Sequence, residues 1–334
     1  MSKSMIAIDI GDTEVRMAQL SGSSVRLMVQ RMPENLVSQN RIISPSTLAK
    51  FLKKMKSDGK FSGTNCTLLL PDSACYFRSI TTAAATDAQI RFNLPYEFHD
   101  YIGGDNSNFT YDYSVESTTA GENGAADNMD LLIGAADQTV MDEYADMLRR
   151  GGLRLKTAIP RPMALIYLTR GIVTSDRAPR DEYCIIDLDY ENTTAYMISA
   201  GRLKASRTIE LGCRDIDAAI AETYNIDAYL ASTWRESNFQ NILTEECCRA
   251  LYEKIALEIM KAINFYRYEN QGSAINDAYF CGGGSVIEGL RTEILDYIRF
   301  EERDISELLP ESCASSIEAG RCVMAIGAVL EKEA

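Results

Sequence analysis

Short apolar runs and helical repeats alternate along the chain in the pattern of an α/β protein. Apolar runs at Met5–Ile10, residues 15–20 and residues 25–31 are separated by turns and predict three strands, with a hairpin at the first turn. Apolar residues then recur at helical spacing over Ser46–Met55, and Thr67–Leu70 has the apolar character of a buried strand. Strands followed by helices predict an α/β layer.

The pattern changes between residues 75 and 155. It predicts strands at Cys75–Ile80, Phe109–Val115 and Met129–Ala136, and helices from about Thr86 through Phe98 and over Val140–Arg150. Ser117–Asn128 is small and polar, and it predicts a loop. A β-α-β-β-α unit of this kind predicts an inserted subdomain.

The second half of the chain repeats the N-terminal pattern. A helix at Pro160–Thr169 and a hinge at Ser175–Asp181 precede predicted strands at Tyr183–Leu188, Ala195–Ser199 and Ala205–Leu211. Residues 213–271 are predicted to be helical, Ala278–Cys281 to be a strand, and Gly320–Leu330 to be a helix. An apolar strand, an Asp-containing turn and a second strand thus occur twice, which predicts a weak internal duplication.

Composition excludes several kinds of partner and site. The formal net charge of -14 argues against nucleic acid and anionic lipid as direct partners. An anionic ligand would need local backbone donors and Mg²⁺. Nine irregularly spaced cysteines predict reduced thiols rather than a disulfide framework, and His99 is the only histidine, which excludes a multi-histidine metal site.

The sequence also predicts where the protein resides. The N-terminal apolar run is interrupted by Asp9, so it does not have the pattern of a signal peptide. Apolar stretches fall short of the ~20 residues that span a bilayer. We expect a soluble cytoplasmic protein that reaches a membrane only through a partner.

Residues 6–16, IAIDIGDTEVR, form the first of three motifs with chemical potential. Asp9 ends a strand and could hold Mg²⁺ through water. The N–H groups of Gly11, Asp12 and Thr13 could form an anion-binding nest, with Arg16 as a counter-charge for phosphate. A plain hairpin turn is the alternative interpretation of this motif taken by itself.

The other two motifs lie in the second half. Residues 184–198 repeat the strand, Asp, turn and strand, with Asp187 at the turn and Asn192 and Thr193 as donors. Residues 278–290 place glycines between a strand and a helix, where a planar ring or ribose could approach the backbone near a positive helix N-terminus. The candidate contact residues of this third motif are Gly282, Gly283, Gly284 and Ser285. An ordinary glycine loop is its alternative interpretation.

Two Asp-bearing hairpins followed by a Gly-Gly-Gly turn resemble the actin, hexokinase and heat-shock chaperone superfamily, in which two similar lobes clamp a nucleotide. The resemblance implies ATP and Mg²⁺ as ligands, with Mg²⁺ held by Asp9 and Asp187 through water. It places the remaining nucleotide contacts at Gly11, Asp12, Thr13, Arg16, Asn192, Thr193, Gly282, Gly283, Gly284 and Ser285, with Glu258 and Lys261 on the helix that frames the adenine and ribose. It assigns no hydrolytic base.

Within that superfamily, the middle of the chain resembles the relocated 1C subdomain of the FtsA and PilM families. The runs FRSITTAAATDAQIRFNLPYEFHDYI, YDYSV, LLIGAA, EYADMLRRGGLRLKTAIP and EIMKAINFYRYEN are similar to the PilM family in the same order. The chain ends with AIGAVLEKEA, where FtsA proteins usually carry an amphipathic membrane helix, and this favours the PilM family.

The resemblance implies an α/β fold with two actin-like (ribonuclease H-like) lobes. The first lobe comprises residues 1–74, 155–175 and 321–334, with the 1C insertion at 75–154. The second comprises 181–212 and 273–320, with a helical outer part at 213–272. The implied function is a cytoplasmic scaffold of the type IV pilus platform, at the cytoplasmic face of the inner membrane, that recruits the N-terminal tail of PilN. A self-associating, polymerising ATPase of the FtsA type is the alternative.

The family places the PilN groove at the 1C subdomain, beside the first lobe. Candidate groove residues here are Phe92, Leu94, Tyr96, Phe98 and Tyr101. Helical spacing puts Phe92, Tyr96 and His99 on one stripe and Leu94, Phe98 and Tyr101 on another. We expect one stripe to pack on the sheet and the other to line the groove. The alternative is that both stripes are covered within the domain. The acidic composition favours a peptide with basic residues.

One departure from the family pattern affects the nucleotide site. Asp189 stands where the second loop normally has glycine, and Asp12 replaces a small hydroxyl residue in the first loop. Like charges ~4 Å apart repel by about 4 kcal/mol at a surface-like dielectric. Two interpretations stay open. Either these side chains point away or are offset by Mg²⁺, or the chain binds ATP weakly and has become a nucleotide-independent scaffold.

Overall fold

The fold is described on a computed structural model, which covers residues 5–38, 41–71, 74–102, 107–120, 126–172 and 181–330. Strands are β1 (Ile6–Ile10), β2 (Glu14–Ser21), β3 (Ser24–Arg31), β4 (Val37–Ser38), β5 (Arg41–Ile42), β6 (Asn65–Leu70), β7 (Cys75–Ala83), β8 (Phe109–Ala120), β9 (Ala126–Asp137), β10 (Arg154–Pro160), β11 (Glu182–Leu188), β12 (Thr193–Ser199), β13 (Arg202–Ile209), β14 (Asp277–Cys281) and β15 (Glu301–Arg303). Helices are α1 (Pro45–Asp58), α2 (Asp87–Glu97), α3 (Gln138–Arg150), α4 (Arg161–Ile172), α5 (Cys213–Tyr224), α6 (Ala228–Ser237), α7 (Glu246–Glu269), α8 (Glu288–Ile298), α9 (Glu311–Ala314) and α10 (Val323–Val329). Residues 175–180 of the predicted hinge lie outside the described residues.

Two five-stranded sheets with the same topology form the frame of the molecule. The first has the order β10-β6-β1-β2-β3 and the second the order β13-β12-β11-β14-β15. In each, an antiparallel hairpin pairs through its first strand with a parallel neighbour: β1 with β6, and β11 with β14. We call the two sheets with their helices the first and second lobes. The predicted duplication is thus present in the strand order.

Helices α4 and α10 lie between the two sheets and bury the largest apolar cluster. This cluster joins residues of β1 and β2, both helices, and β11, β12 and β14. The helices approach so closely that a Cβ on Gly327 would lie 2.0 Å from the Ala164 carbonyl oxygen. Helices α1 and α3 cover the outer face of the first sheet, and α5, α7 and α8 cover that of the second. The layers position the carboxyl ends of β1 and β11 at the same cleft.

The inserted unit is a separate three-stranded sheet of order β7-β9-β8, with α2 packed on one face. Helix α2 begins as predicted, because Thr86 and Gln89 form a reciprocal capping box. The predicted loop at Ser117–Asn128 is wrong at both ends, since β8 reaches Ala120 and β9 starts at Ala126. The Ser/Thr-rich ends of this segment form strands, because threonine suits exposed strand positions. Residues 121–125 of the predicted loop lie outside the described residues.

Two further features bear on chemistry and location. All nine cysteines are free thiols, and seven of them are buried. Within the described ranges, the helices are too short or too polar to cross a bilayer.

Candidate functional site

The turns of the β1–β2 and β11–β12 hairpins face each other across the cleft between the lobes. The first hairpin pairs Asp9 with Arg16, and the second pairs Asp187 with Thr194. Asp9 and Asp187 are 2% and 4% exposed, so each carboxylate is buried at the end of its strand. A buried carboxylate needs a charged partner or several donors. These partners are side chains of the protein itself.

Arg161 is the residue that joins the two hairpins. It follows β10 directly as the first residue of α4, so its side chain enters the cleft at the ends of the parallel strands. Its Nη1 donates to Asp9 Oδ1 at 3.2 Å, and its Nη2 donates to Asp187 Oδ2 at 3.1 Å. The same Nη2 lies 3.0 Å from Asp189 Oδ2. One guanidinium therefore contacts three carboxylates from both lobes.

Arg16 makes a second bridge. Its Nη1 donates to Asp9 Oδ2 at 3.0 Å, its Nε donates to Glu14 Oε1 at 2.9 Å, and its Nη2 donates to Asp189 Oδ1 at 3.0 Å. Arg321 contacts the other Glu14 oxygen from a short 3₁₀ turn, Ala319–Arg321, that precedes α10. We refer to Asp9, Glu14, Arg16, Arg161, Asp187 and Asp189 as the cleft network.

Burial and charge act against each other in this network. Burial raises the pKa of Asp187 to about 6, although Arg161 opposes the rise. Burial also acts to raise the pKa of Asp189, but Arg16 and Arg161 more than offset it and hold this pKa well below its ordinary value. The pKa of Arg16 is well above its ordinary value, because Asp189, Glu14 and Asp9 outweigh the cost of burial. The Arg16–Asp189 bridge across the lobes is thus fully ionised.

The two predicted phosphate loops form tight turns that nearly touch. The Gly11 N–H donates to the Glu14 carbonyl at 3.0 Å, and the Asp189 N–H donates to the Asn192 carbonyl at 3.0 Å. Asp12 and Asn192 line the space between the turns, whereas Thr193 is buried in β12. That space has a volume of about 20 Å³, enough for about one water molecule.

A larger cavity of about 1040 Å³ opens on the other side of the network. It is lined by Thr13, Arg16, Asp189, Tyr252, Gly283 and Arg321, among others. The glycine turn meets the first hairpin here, since a Cβ on Gly283 would lie 3.7 Å from Glu14 Oε1. Gly282 has φ +84°, and the Ser285 hydroxyl donates to its carbonyl at 2.7 Å. Gly284 is buried, and a Cβ on it would lie 2.8 Å from Cys213 Sγ.

Glu258 and Lys261 do not reach this cavity. They form an exposed ion pair of 2.7 Å with each other on α7. The α7 residues at the cavity are Arg249 and Tyr252, because the helix starts at Glu246 and only its first turns face the cleft. The assignment of Glu258 and Lys261 to the nucleotide site is therefore corrected.

Sequence reasoning also missed Arg161, Glu14 and Arg321. Only Arg161 carried a partial signal, because it lies at the start of the helix predicted over Pro160–Thr169; the strand before it, which makes this a strand-to-helix junction of a parallel sheet, was not predicted. Both Asp9 oxygens and one Asp187 oxygen already accept from guanidinium groups. With about 20 Å³ between the turns, these residues do not fit hydrated Mg²⁺ together with a phosphate chain.

The aromatic residues of the inserted unit separate into core and surface. Leu94 and Phe98 are each 1% exposed and pack in the core of the small sheet. Phe92 and Tyr96 are 70% and 69% exposed, with ring centroids 5.9 Å apart. Leu94 and Phe98 are thus corrected from groove residues to core residues.

Tyr101 does not follow the stripe to which it was assigned. It is exposed, with the Arg78 guanidinium 4.5 Å from its ring centroid. Helix α2 ends at Glu97, so helical spacing no longer determines the direction of Tyr101. Phe92, Tyr96 and Tyr101 remain as candidate partner residues.

A groove separate from the cleft lies beside β10, the edge strand of the first sheet. Its volume is about 530 Å³, and it is lined by Thr64, Arg149, Leu153, Arg154 and Leu155 among others. Strand β10 ends the strand order of this sheet, so its outer edge is next to this groove. Strand edges are places where an extended peptide can add backbone hydrogen bonds.

Comparison with known proteins agrees with this architecture. Residues 7–309 match the family described as Type IV pilus assembly protein PilM. The fold is similar to the solved structure of the PilM-PilN type IV pilus biogenesis complex, with a TM-score of 0.85 and 19% identity, covering 99% of this chain and 98% of that one. The ethanolamine utilization protein EutJ from Carboxydothermus hydrogenoformans has a TM-score of 0.60 and 14% identity, covering 99% and 90%.

MreB5 of Spiroplasma citri, solved with ADP, is a more distant structural relative. Its TM-score is 0.51 at 12% identity, covering 98% of this chain and 95% of that one. These similarities establish the predicted actin-like fold with its two lobes. The match over nearly the whole length adds the family: this chain belongs to the PilM family of type IV pilus assembly proteins.

Proposed function

We propose that this protein is a scaffold of the type IV pilus assembly platform, which captures the cytoplasmic tail of a PilN-like membrane protein. The observation that carries the proposal is the family match over residues 7–309. Similarity over 99% of the chain to the PilM partner of a PilM-PilN complex supports the same kind of partner. Capture of such a tail would hold the protein at the cytoplasmic face of the inner membrane.

The proposed contact surface is the aromatic face of α2, in the unit that we assign as the 1C subdomain, residues 75–154. Phe92 and Tyr96 are one helical turn apart and their rings are adjacent. Two large, exposed rings side by side favour contact with apolar groups of a partner. Tyr101 with Arg78 adds a polar rim. This combination suits a short peptide with apolar anchors.

Charge should influence how the tail binds. The chain has a net charge of -14, so a tail with basic residues would be attracted to it. Raising the ionic strength from about 0.1 M to about 1 M shortens the Debye length from about 10 Å to about 3 Å. We expect the affinity for a synthetic PilN-tail peptide, measured by fluorescence anisotropy, to fall about tenfold over this range. A dissociation constant independent of salt would contradict an electrostatic contribution.

Removing the aromatic face should weaken binding more directly. Phe92→Glu with Tyr96→Glu places charge where apolar anchors are proposed to pack, and we expect at least about a tenfold weaker Kd for the peptide. Both side chains are largely exposed, so the free protein should stay folded. Anisotropy titration measures the Kd, and circular dichroism checks the fold.

Phe265→Glu is the matched control, because Phe265 is 67% exposed but lies on α7 of the second lobe. The control should bind like the parent. Equal losses in both variants, or none in either, would remove α2 as the contact surface. Amide-exchange mapping then distinguishes the α2 face from the β10 groove and from residues 213–272.

A further inference from the structure

We propose that the cleft network replaces Mg²⁺-nucleotide in this chain, so that internal ion pairs hold the lobes together and Mg²⁺-ATP does not bind. The inference concerns the cleft alone and goes beyond the scaffold function proposed above. It resolves the two interpretations of Asp189 in favour of a nucleotide-independent scaffold.

The first argument is the position of Arg161. Its guanidinium lies between Asp9, Asp187 and Asp189, the carboxylates at the carboxyl ends of β1 and β11. This is the place where a hydrated Mg²⁺ ion was predicted from the sequence. A guanidinium is a permanent cation with several donors in one plane, so it can neutralise carboxylates on both sides of a cleft without a metal. Its side chain is 11% exposed, so it is held inside the cleft.

The second argument is the state of Arg16. As a counter-charge for phosphate, this residue would have to direct its guanidinium to the ligand. Instead its donors engage Asp9, Glu14 and Asp189 at 2.9–3.0 Å. Asp189, the residue that departs from the family pattern, is therefore a partner of both arginines rather than an unbalanced charge.

The third argument is the balance of charge in the cleft. Four carboxylates (Asp9, Glu14, Asp187 and Asp189) face three guanidinium groups (Arg16, Arg161 and Arg321). The phosphates of a nucleotide would add negative charge to a network in which carboxylates already outnumber cations. They would also compete with buried, charge-assisted hydrogen bonds, which are stronger than neutral ones.

The fourth argument is space. The two turns leave about 20 Å³ between them, whereas the cavity beyond the network has about 1040 Å³. A nucleoside has room in the larger cavity, but a phosphate chain extending from it would meet Arg16 and Asp189 in their mutual ion pair. The Arg16–Asp189 ion pair therefore excludes the phosphate chain of a nucleotide rather than its nucleoside.

A further contact joins the lobes at the end of β3, through an ion pair that is partly exposed and therefore weaker than the buried network. Arg31 at the end of β3 donates to Glu236 at 2.5 Å and to the Ser232 hydroxyl at 2.8 Å, both on α6 of the second lobe. Together with the network, this contact joins the lobes through side chains. In this chain, closure of the cleft therefore requires no ligand.

The direct test is titration of the purified full-length protein with Mg²⁺-ATP and Mg²⁺-ADP by isothermal calorimetry. We expect no saturable heat up to about 1 mM ligand. We also expect no Mg²⁺-dependent rise in Tm, because only a ligand that binds the folded protein stabilises it. Saturable binding with a Kd below about 100 µM that disappears in EDTA would overturn the proposal.

A variant tests whether the network is the block. Asp189→Gly with Arg161→Gln restores the family glycine and removes the central cation, and we expect saturable Mg²⁺-ATP binding with a Kd below about 100 µM, at least about tenfold tighter than the limit of about 1 mM expected for the parent. Lys261→Gln, in the exposed pair with Glu258, is the control and should gain nothing. A folded double variant with no gain would show that the network is not the cause.

The parent titration decides the question even when the double variant does not fold. A second readout is the affinity of the parent for the PilN-tail peptide, which should be the same with Mg²⁺-ATP, with ADP and with EDTA. A nucleotide-dependent peptide affinity would contradict the inference. Failure of the peptide to bind under all conditions would count against the proposed function and leave the nucleotide titration as the test of the cleft.

Discussion

Gly282→Ala is expected to lower the free energy of unfolding by about 4 kcal/mol, through strain and overlap together. Gly282 has φ +84° and ψ 175°, a backbone region that is open almost only to glycine. An added Cβ would lie 2.4 Å from Asp187 Oδ1 and 2.5 Å from the Leu188 carbonyl oxygen. The methyl group would displace the end of β11, on which the Arg161–Asp187 pair depends. Urea unfolding followed by circular dichroism measures the loss.

Gly283→Ala is the matched control in the same turn. A Cβ there would meet its nearest atoms, Glu14 Oε1 and Arg16 Nη2, at 3.7 Å and 3.9 Å, which are ordinary contacts. We expect a change within about 0.5 kcal/mol. Similar losses at both glycines would show that the turn is sensitive to any side chain, and the argument from the Gly282 backbone would then be wrong.

Arg16→Met is expected to lower the free energy of unfolding by about 3–5 kcal/mol, because it leaves buried carboxylates without their partner. Asp9, Glu14 and Asp189 all accept from this guanidinium. Methionine fills a similar volume, so the loss reports mainly on charge. Arg16→Lys should recover only part of the stability, since an ammonium group cannot reproduce the planar set of donors. Denaturant unfolding of the three proteins gives the comparison.

Lys261→Met serves as the control for loss of an ion pair. Its partner Glu258 is solvated, and exposed pairs contribute about 0–1 kcal/mol. A loss at Arg16 no larger than that at Lys261 would mean that the cleft network is screened by water and does not hold the lobes together.

These results would describe a scaffold that keeps the actin-like frame but closes its cleft internally. In an actin-like frame, a ligand bound between the two lobes can help to hold the cleft closed. Here Arg161 reaches both hairpins from the start of α4. A scaffold whose lobes are joined by its own side chains would present the α2 face in one arrangement at any nucleotide concentration.

Local patterns in the sequence predicted much of the frame. Apolar runs broken by Asp-containing turns predicted both hairpins, because a buried strand followed by a tight turn is a short-range signal. Helical spacing also predicted that a helix starts at about Thr86, where the structure shows that Thr86 and Gln89 form a capping box. The edge strand β10 was missed as a strand. It alternates between exposed and partly buried positions after Gly151-Gly152, so its apolar pattern is weak.

The direction in which each helical side chain points was harder to predict than the presence of the helix. The sequence predicted that residues 213–271 are helical, but not that the first turns of α7, with Arg249 and Tyr252, face the cavity. On α2, helical spacing separated Phe92 and Tyr96 from Leu94 and Phe98. Only packing against the small sheet decided that Leu94 and Phe98 are buried and that the other two are exposed.

The sequence by itself determined the strands of both hairpins, their turns and the presence of Asp9, Arg16, Asp187 and Asp189 at these turns, because short-range hydrophobic pattern and turn chemistry carry that information. Only the tertiary structure decided which charges meet. Arg161 and Asp9 are 152 residues apart in sequence, yet their side chains are 3.2 Å apart. Stacking of the two sheets around α4 and α10 brings these strand ends together. Electrostatic energy depends on distance in space, so pairing across the cleft could not be read from local sequence.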